Sequence, residues 1–176
     1  MFVLKERLLE RSTEKQLRKN KAKRNPASWE NAQTAGILFT IGDEKKTDAA
    51  KRLRTELRNS GKGKKISLIA YFPGEKDCPI EDFDIFTSAD FDWKGRPVHE
   101  MIGAFMDKPF DFLFHIDTEP NAVTDHLLAA SKAKCRVGIF RPGAEDYYEL
   151  MLGGGAGYSD AIQEMLHYIH VLEDYA

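Results

Sequence analysis

Residues 110–140 read FDFLFHIDTEPNAVTDHLLAASKAKCRVGIF, and this stretch decides the fold. Phe112, Leu113 and Phe114, extended by Phe110 and Ile116, form an apolar run that hardly alternates. A strand with one wet face alternates, so this one predicts a strand covered on both faces. Asp117–Asn121 follows as a loop, in which Pro120 suits a first helical turn and Thr118 or Asn121 can cap it. Val123, Leu127, Leu128 and Ala130 then recur near the helical period, and Val137, Ile139 and Phe140 predict the next strand. Two buried strands joined by a helix make a βαβ unit, with parallel strands and a right-handed crossover.

The flanking segments extend the same pattern. Gly36–Ile41 (GILFTI) and Ile66–Phe72 (ISLIAYF) predict two more strands, and Phe83–Phe86 a short one whose flanking acids suit a sheet edge. Between the first two, Thr47 can cap a helix with Ala49, Ala50, Leu53 and Leu57 inward and a stop at Gly61. An aromatic loop, Phe91–Gly95, precedes a helix over Val98–Met106 with Val98, Met101, Ile102 and Phe105 inward. After Tyr147–Leu152 and a glycine-rich connector, a last helix runs from Asp160. Asp160 with Gln163 reads as its capping box, and Ile162, Met165, Leu166, Ile169 and Leu172 as its apolar stripe. The alternation predicts an α/β, three-layer, Rossmann-like sandwich with a mostly parallel five-stranded sheet in the order 3-2-1-4-5. Residues 1–33 are a basic N-terminal helix and linker, limited near Pro26, and residues 34–176 a single α/β domain.

The pattern FDFLFHID…LLAASKAKCRVGIF resembles a strand–helix–strand in the N-terminal half of heptosyltransferase-type glycosyltransferases. Those carry an apolar strand ending in Asp, a helix of small residues and a Gly-bearing strand. The whole chain, with its basic N-terminal helix and its Asp146–Met151 segment, resembles a family of small uncharacterised bacterial proteins, a domain of unknown function. The resemblances imply a Rossmann-like fold and carry no activity. The transferases bind sugar nucleotide mainly in a second α/β domain, for which these 176 residues leave no room.

The chain is 42% hydrophobic, which suits one globular domain with a substantial core. No apolar run reaches the length of a membrane span, and the start is too charged for a signal-peptide core. A cytoplasmic protein is expected. Cys78 and Cys135 have no Cys-x-x-Cys spacing; Cys135 opens a buried strand and predicts an inert, packed thiol.

The net charge of −2 is unevenly spread. Residues 1–25 hold nine Lys/Arg against three Glu, a local +6, and from Pro142 onward there is no Lys or Arg. Such asymmetry marks a basic arm for an anionic partner. Arg18, Lys19, Lys21, Lys23 and Arg24 are the candidate contacts, with RNA, the ribosome or another anionic surface as the partner. No aromatic residues interleave with these cations, so the contact is expected to be sequence-tolerant. The alternative for this helix is packing of Leu4 and Leu8 on the domain or on a second subunit of a homodimer.

In the order 3-2-1-4-5, chain order reverses between Gly36–Ile41 and Phe112–Ile116, and a ligand belongs outside the carboxyl ends of those strands. Thr40, Gly42, Asp43, His115, Asp117 and Thr118 would line that crevice, with Arg141 nearby. His115 and Asp117, two residues apart on a strand, share a face and are the weak candidates for acid–base chemistry. No Ser or Cys nucleophile stands beside them, which favours a structural pair. The Thr40–Glu44 turn has one glycine and two acids where a dinucleotide fingerprint needs three glycines, so no such cofactor is expected. The run before Asp160 lacks the Gly-Lys-Ser/Thr ending of a phosphate loop. His167 and His170 fall outside the apolar stripe and read as part of a solvated acidic face, so no metal is expected. These readings converge on a non-catalytic, cytoplasmic binding or adaptor module. The alternative is a small or degenerate glycosyltransferase-like enzyme, or a sugar-phosphate or nucleotide binder, at the ends of strands 1 and 4.

Overall fold

The computed structural model describes residues 2–25, 28–61, 63–74, 78, 82–153, 155 and 157–174. The strands are β1 (Thr34–Thr40), β2 (Lys65–Tyr71), β3 (Asp84–Phe86), β4 (Phe112–His115), β5 (Arg136–Ile139) and β6 (Leu150–Leu152). The helices are α1 (Phe2–Lys19), α2 (Glu44–Asn59), α3 (Glu100–Asp107), α4 (Ala122–Ala130) and α5 (Tyr158–Asp174). The strands pair throughout in parallel, in the order β3-β2-β1-β4-β5-β6. The expected order is therefore present, and Leu150–Leu152 adds a sixth strand beside β5. Its three residues are too few to show a period in sequence.

Alternation along the central strands assigns the two faces. Ile37 and Phe39 of β1, Phe112 and Phe114 of β4, and Val137 and Ile139 of β5 face a core shared with α2 and α5. Leu38, Leu113 and Phe110 face the opposite core with α3 and α4. Each fully buried Phe or Leu contributes roughly 1.5–3 kcal/mol from removal of apolar surface. Gly138 on β5 is set by close packing: a Cβ there would lie 2.3 Å from the Tyr148 ring.

Several boundaries differ from the sequence reading. Asp43, not Thr47, caps α2, its carboxylate accepting from Lys46 N at 2.9 Å; Thr47 is buried within the first turn. Asn121, not Thr118, caps α4, accepting from the Val123 and Thr124 amides. Helix α3 starts at Glu100, and Val98 lies before it, with its amide donating to Asp90 O and its side chain exposed. Phe140 lies beyond β5 and is exposed. Helix α5 starts at Tyr158, which leaves Asp160 inside the first turn rather than at the cap. The expected roles of Pro26, Gly154 and Ala156, and of the Leu4 and Leu172 side chains, lie outside the described residues.

Helix α1 lies on α4 as an outer layer. Asn20 Nδ2 donates to Ala129 O at 2.8 Å and Ser131 O at 2.9 Å. Between the helices sits buried His126. Its Nε2 meets Gly95 O at 2.7 Å and its Nδ1 meets Thr13 Oγ1 at 3.0 Å. A carbonyl only accepts, so Nε2 carries a proton. Burial lowers the His126 pKa and favours the neutral ring, while the Thr13 hydroxyl donates to Leu9 O at 2.8 Å. Trp29, in the stretch read as a linker, is fully buried against Phe112 and Phe114 and donates to Ser60 Oγ at 2.9 Å.

Candidate functional site

At the carboxyl end of the sheet, β1 and β4 deliver Thr40, His115 and Asp117 to one point. Asp117 accepts from Thr40 N at 2.9 Å and Thr40 Oγ1 at 2.6 Å, from His115 Nε2 at 3.1 Å, and from the Lys46 ammonium of α2. His115 is fully buried and Asp117 is 2% exposed. Burial opposes the Asp117 charge, but the His115 ring and the Lys46 ammonium outweigh it and hold its pKa well below the ordinary carboxylate range. The other His115 nitrogen meets Tyr148 Oη at 2.6 Å. Arg141 Nη2 donates to the same oxygen at 3.1 Å and pairs with Asp125 of α4. Arg141 thus leaves the Tyr148 proton available to His115 Nδ1, and burial pushes the Tyr148 pKa up. The result is a continuous buried chain from Lys46 through Asp117, His115, Tyr148 and Arg141 to Asp125.

Of the residues proposed to line this crevice, the fold brings Thr40, His115, Asp117 and Arg141 into that chain. Asp43 is spent on its helix cap, Gly42 belongs to the turn before it, and Thr118 is exposed in the loop after β4. Lys46, Tyr148 and Asp125 join the chain without any sequence motif that marks them. Lys46 sits among the cations of a basic helix, and nothing local marks it as the one that turns inward. Chemically, the cluster holds charges in place: the contacts of Asp117 come from the protein itself. Burial and the Glu149 charge raise the Cys135 pKa to about 12, which keeps the buried thiol in its poorly nucleophilic protonated form at neutral pH.

The opposite end of the sheet is open. A groove of about 710 Å³ runs between the C-terminal end of α1 and the ends of α3 and α4. Lys19, Lys21, Lys23, Lys132 and Lys134 line it, with Asp107 the acid in its wall among the described residues. Lys132 pairs with Asp107, and Lys134 with Asp111 at 2.7 Å. Lys19, Lys21 and Lys23 are exposed and make no ion pair among the described residues. Arg18 is also exposed. Arg24 turns inward instead, donating to Ala133 O and lying 3.6 Å from Glu149. Burial and neighbouring Arg136 lower its pKa. Lys132 and Lys134 are groove residues that sequence reasoning missed, since they lie more than a hundred positions from the basic helix.

Among the described residues, no helix is long and apolar enough to cross a membrane, and no group of three or more His, Cys, Asp or Glu could hold a metal ion. No curated protein and no solved structure matches the chain. Residues 5–172, a span that takes in the basic helix, both sheet ends and most of α5, match a family of unknown function, and the chain belongs to that family, DUF6913.

Proposed function

We propose that this protein is a non-catalytic binding or adaptor module of the cytoplasm that holds an anionic partner, RNA or a ribosomal surface, at the amino end of its sheet. The observation that carries the reading is the groove in which Lys19, at the end of α1, and Lys21 and Lys23 after it meet Lys132 and Lys134, which follow α4. Cations fixed around a concavity raise the local concentration of a polyanion and exchange its counterions on binding. The carboxyl-end cluster supports the non-catalytic half, because the contacts of buried Asp117 are met by Thr40, His115 and Lys46.

The test is the affinity of the full chain for mixed-sequence RNA at two salt concentrations, beside a variant with Arg18, Lys19, Lys21 and Lys23 changed to Gln. Affinity that drops steeply with salt in the parent and is lost in the variant is the expected result. Equal affinity for both proteins overturns the reading.

A second reading keeps the likeness to heptosyltransferase-type glycosyltransferases and places a sugar phosphate or nucleotide at the carboxyl end. One observation favours it: Arg141 Nε, just past the carboxyl end of β5, is buried with no hydrogen-bond partner among the described residues. Calorimetric titration with nucleoside diphosphates and sugar phosphates at millimolar concentration decides it. Heat that disappears in Arg141→Ala supports it, and no heat removes it.

A further inference from the structure

We infer that the lysine groove takes single-stranded nucleic acid, with Trp93 as its base-stacking platform; this rests on the polyanion reading above and specifies the ligand. In sequence, Trp93 lies some seventy residues from the basic helix, and the cations around Lys19 have no aromatic among them. The fold brings the two together. Residues 91–97 form a small hairpin closed by the Phe91–Pro97 bridge and by Gly95 N donating to Asp92 O at 3.0 Å. Asp92 further accepts from the Lys94 and Arg96 amides and the Arg96 side chain, which fixes the loop internally.

The hairpin is pinned to α1 and α4. Ser12 Oγ donates to Lys94 O at 2.9 Å, and His126 Nε2 holds Gly95 O. Gly95 has a φ of +71°, and a Cβ there would lie 3.0 Å from Leu9 and 3.1 Å from Ser12 Oγ, so the turn sits hard against the helix. Pro97, the last residue of the hairpin, lines the groove together with Gln16 and Lys19. Ser12 and Lys19 are about 10 Å apart along the helix at about 1.5 Å per residue. The hairpin that carries Trp93 therefore packs on the same helix whose end lines the groove, and its last residue is part of the groove wall.

The indole has the properties of a platform. It is 66% exposed, on a loop that hydrogen bonds hold in shape, and one side is occupied by Lys94 Nζ at 4.6 Å from the ring centroid. The exposed surface of the ring is what a base would stack on. A cation and an aromatic face beside a basic groove match a single strand, whose unstacked bases offer π-faces while its phosphates track the lysines. A duplex hides its base faces. An anionic membrane would use the lysines without needing a concave wall.

The probe is a fluorescein-labelled 12-nucleotide uridine oligomer, compared with a 12-base-pair duplex and with phosphatidylglycerol vesicles, all against the full chain. Trp29 is buried and Trp93 exposed, so ligand quenching of tryptophan fluorescence reports on Trp93. The oligomer is expected to quench this emission, and Trp93→Ala to weaken its binding at least about fivefold, as loss of a stacked base does. Lys19, Lys21 and Lys23 changed together to Gln should weaken the oligomer and the duplex alike. If duplex or vesicles bind as tightly as the oligomer and Trp93→Ala changes nothing, the single-strand inference is overturned while the polyanion reading stands. If none of the three probes binds, both fall.

Discussion

Asp111 and Asp117 clamp the two ends of one strand in the same manner, and their surroundings make them different. Each accepts from the backbone amide and the hydroxyl of a β1 threonine, Asp111 from Thr34 and Asp117 from Thr40. Each then pairs with a lysine, Lys134 for Asp111 and Lys46 for Asp117. At the carboxyl end, the Lys46 side chain is 10% exposed and buried His115 closes the far side. At the amino end, the Lys134 side chain is 43% exposed and lines the groove. One motif is thus used twice, once sealed as a support and once left at the edge of a cationic surface. The comparison teaches that a His–Asp pair at a topological switch point is not in itself a site: what matters is whether any of its hydrogen-bonding capacity faces solvent.

The contrast is tested most severely by Asp117→Ala. Removing this carboxylate strands a buried lysine and His115, which should cost about 3–5 kcal/mol. Urea unfolding of the full chain measures it, and a cost near zero would mean that the carboxyl end is not the tightly coupled structure described here. Asp111→Ala should cost less, about 2 kcal/mol, because Lys134 can return to water while the Gln33 and Thr34 amides lose their acceptor. Equal losses in the two variants would erase the distinction between sealed and open ends.

Acid sharpens the same comparison. Burial opposes both charges, but their hydrogen-bonded partners outweigh it and depress both pKa values. Each carboxylate therefore contributes stability that is complete above the unfolded-state value of about 4 and is lost as pH falls toward the folded-state value. Unfolding midpoints followed from pH 6 to pH 2 should decline below about pH 4. Asp117→Asn should flatten that decline more than Asp111→Asn, and an unchanged acid limb in Asp117→Asn would contradict the assignment. Tyr148→Phe, which removes the hydroxyl between His115 and Arg141, should cost about 1 kcal/mol in the same assay. A loss several times larger would make the buried chain more cooperative than pairwise bonds imply.

Much of this was legible in the sequence. The apolar run Phe112–Phe114 and the small-residue helix after it dictate a covered parallel strand and its crossover, and the strand order follows from the alternation. The matched spacing, Thr34 and Thr40 six positions apart at the ends of β1 and Asp111 and Asp117 six positions apart around β4, is present in the sequence too, but means something only once β1 and β4 are adjacent. Leu150–Leu152 was not legible as a strand, because three half-buried residues show no period. Trp29 reads as linker because its neighbours are polar, and only tertiary packing buries it. The groove was hidden for a related reason. Its lysines come from the end of α1, from the segment just after it and from the segment between α4 and β5, so no local window contains the constellation.

In the proposed function the amino end binds and the carboxyl end supports. The most direct measurement is the affinity of the uridine oligomer, over a range of salt, for full-length Lys19→Gln/Lys21→Gln/Lys23→Gln and for full-length Tyr148→Phe. The triple variant should keep the parental stability within about 0.5 kcal/mol, as exposed substitutions do. It should lose affinity with a salt slope shallower by about 2, while Tyr148→Phe binds as the parent does. Parental affinity in the triple variant, or loss of binding in Tyr148→Phe, would contradict the claim.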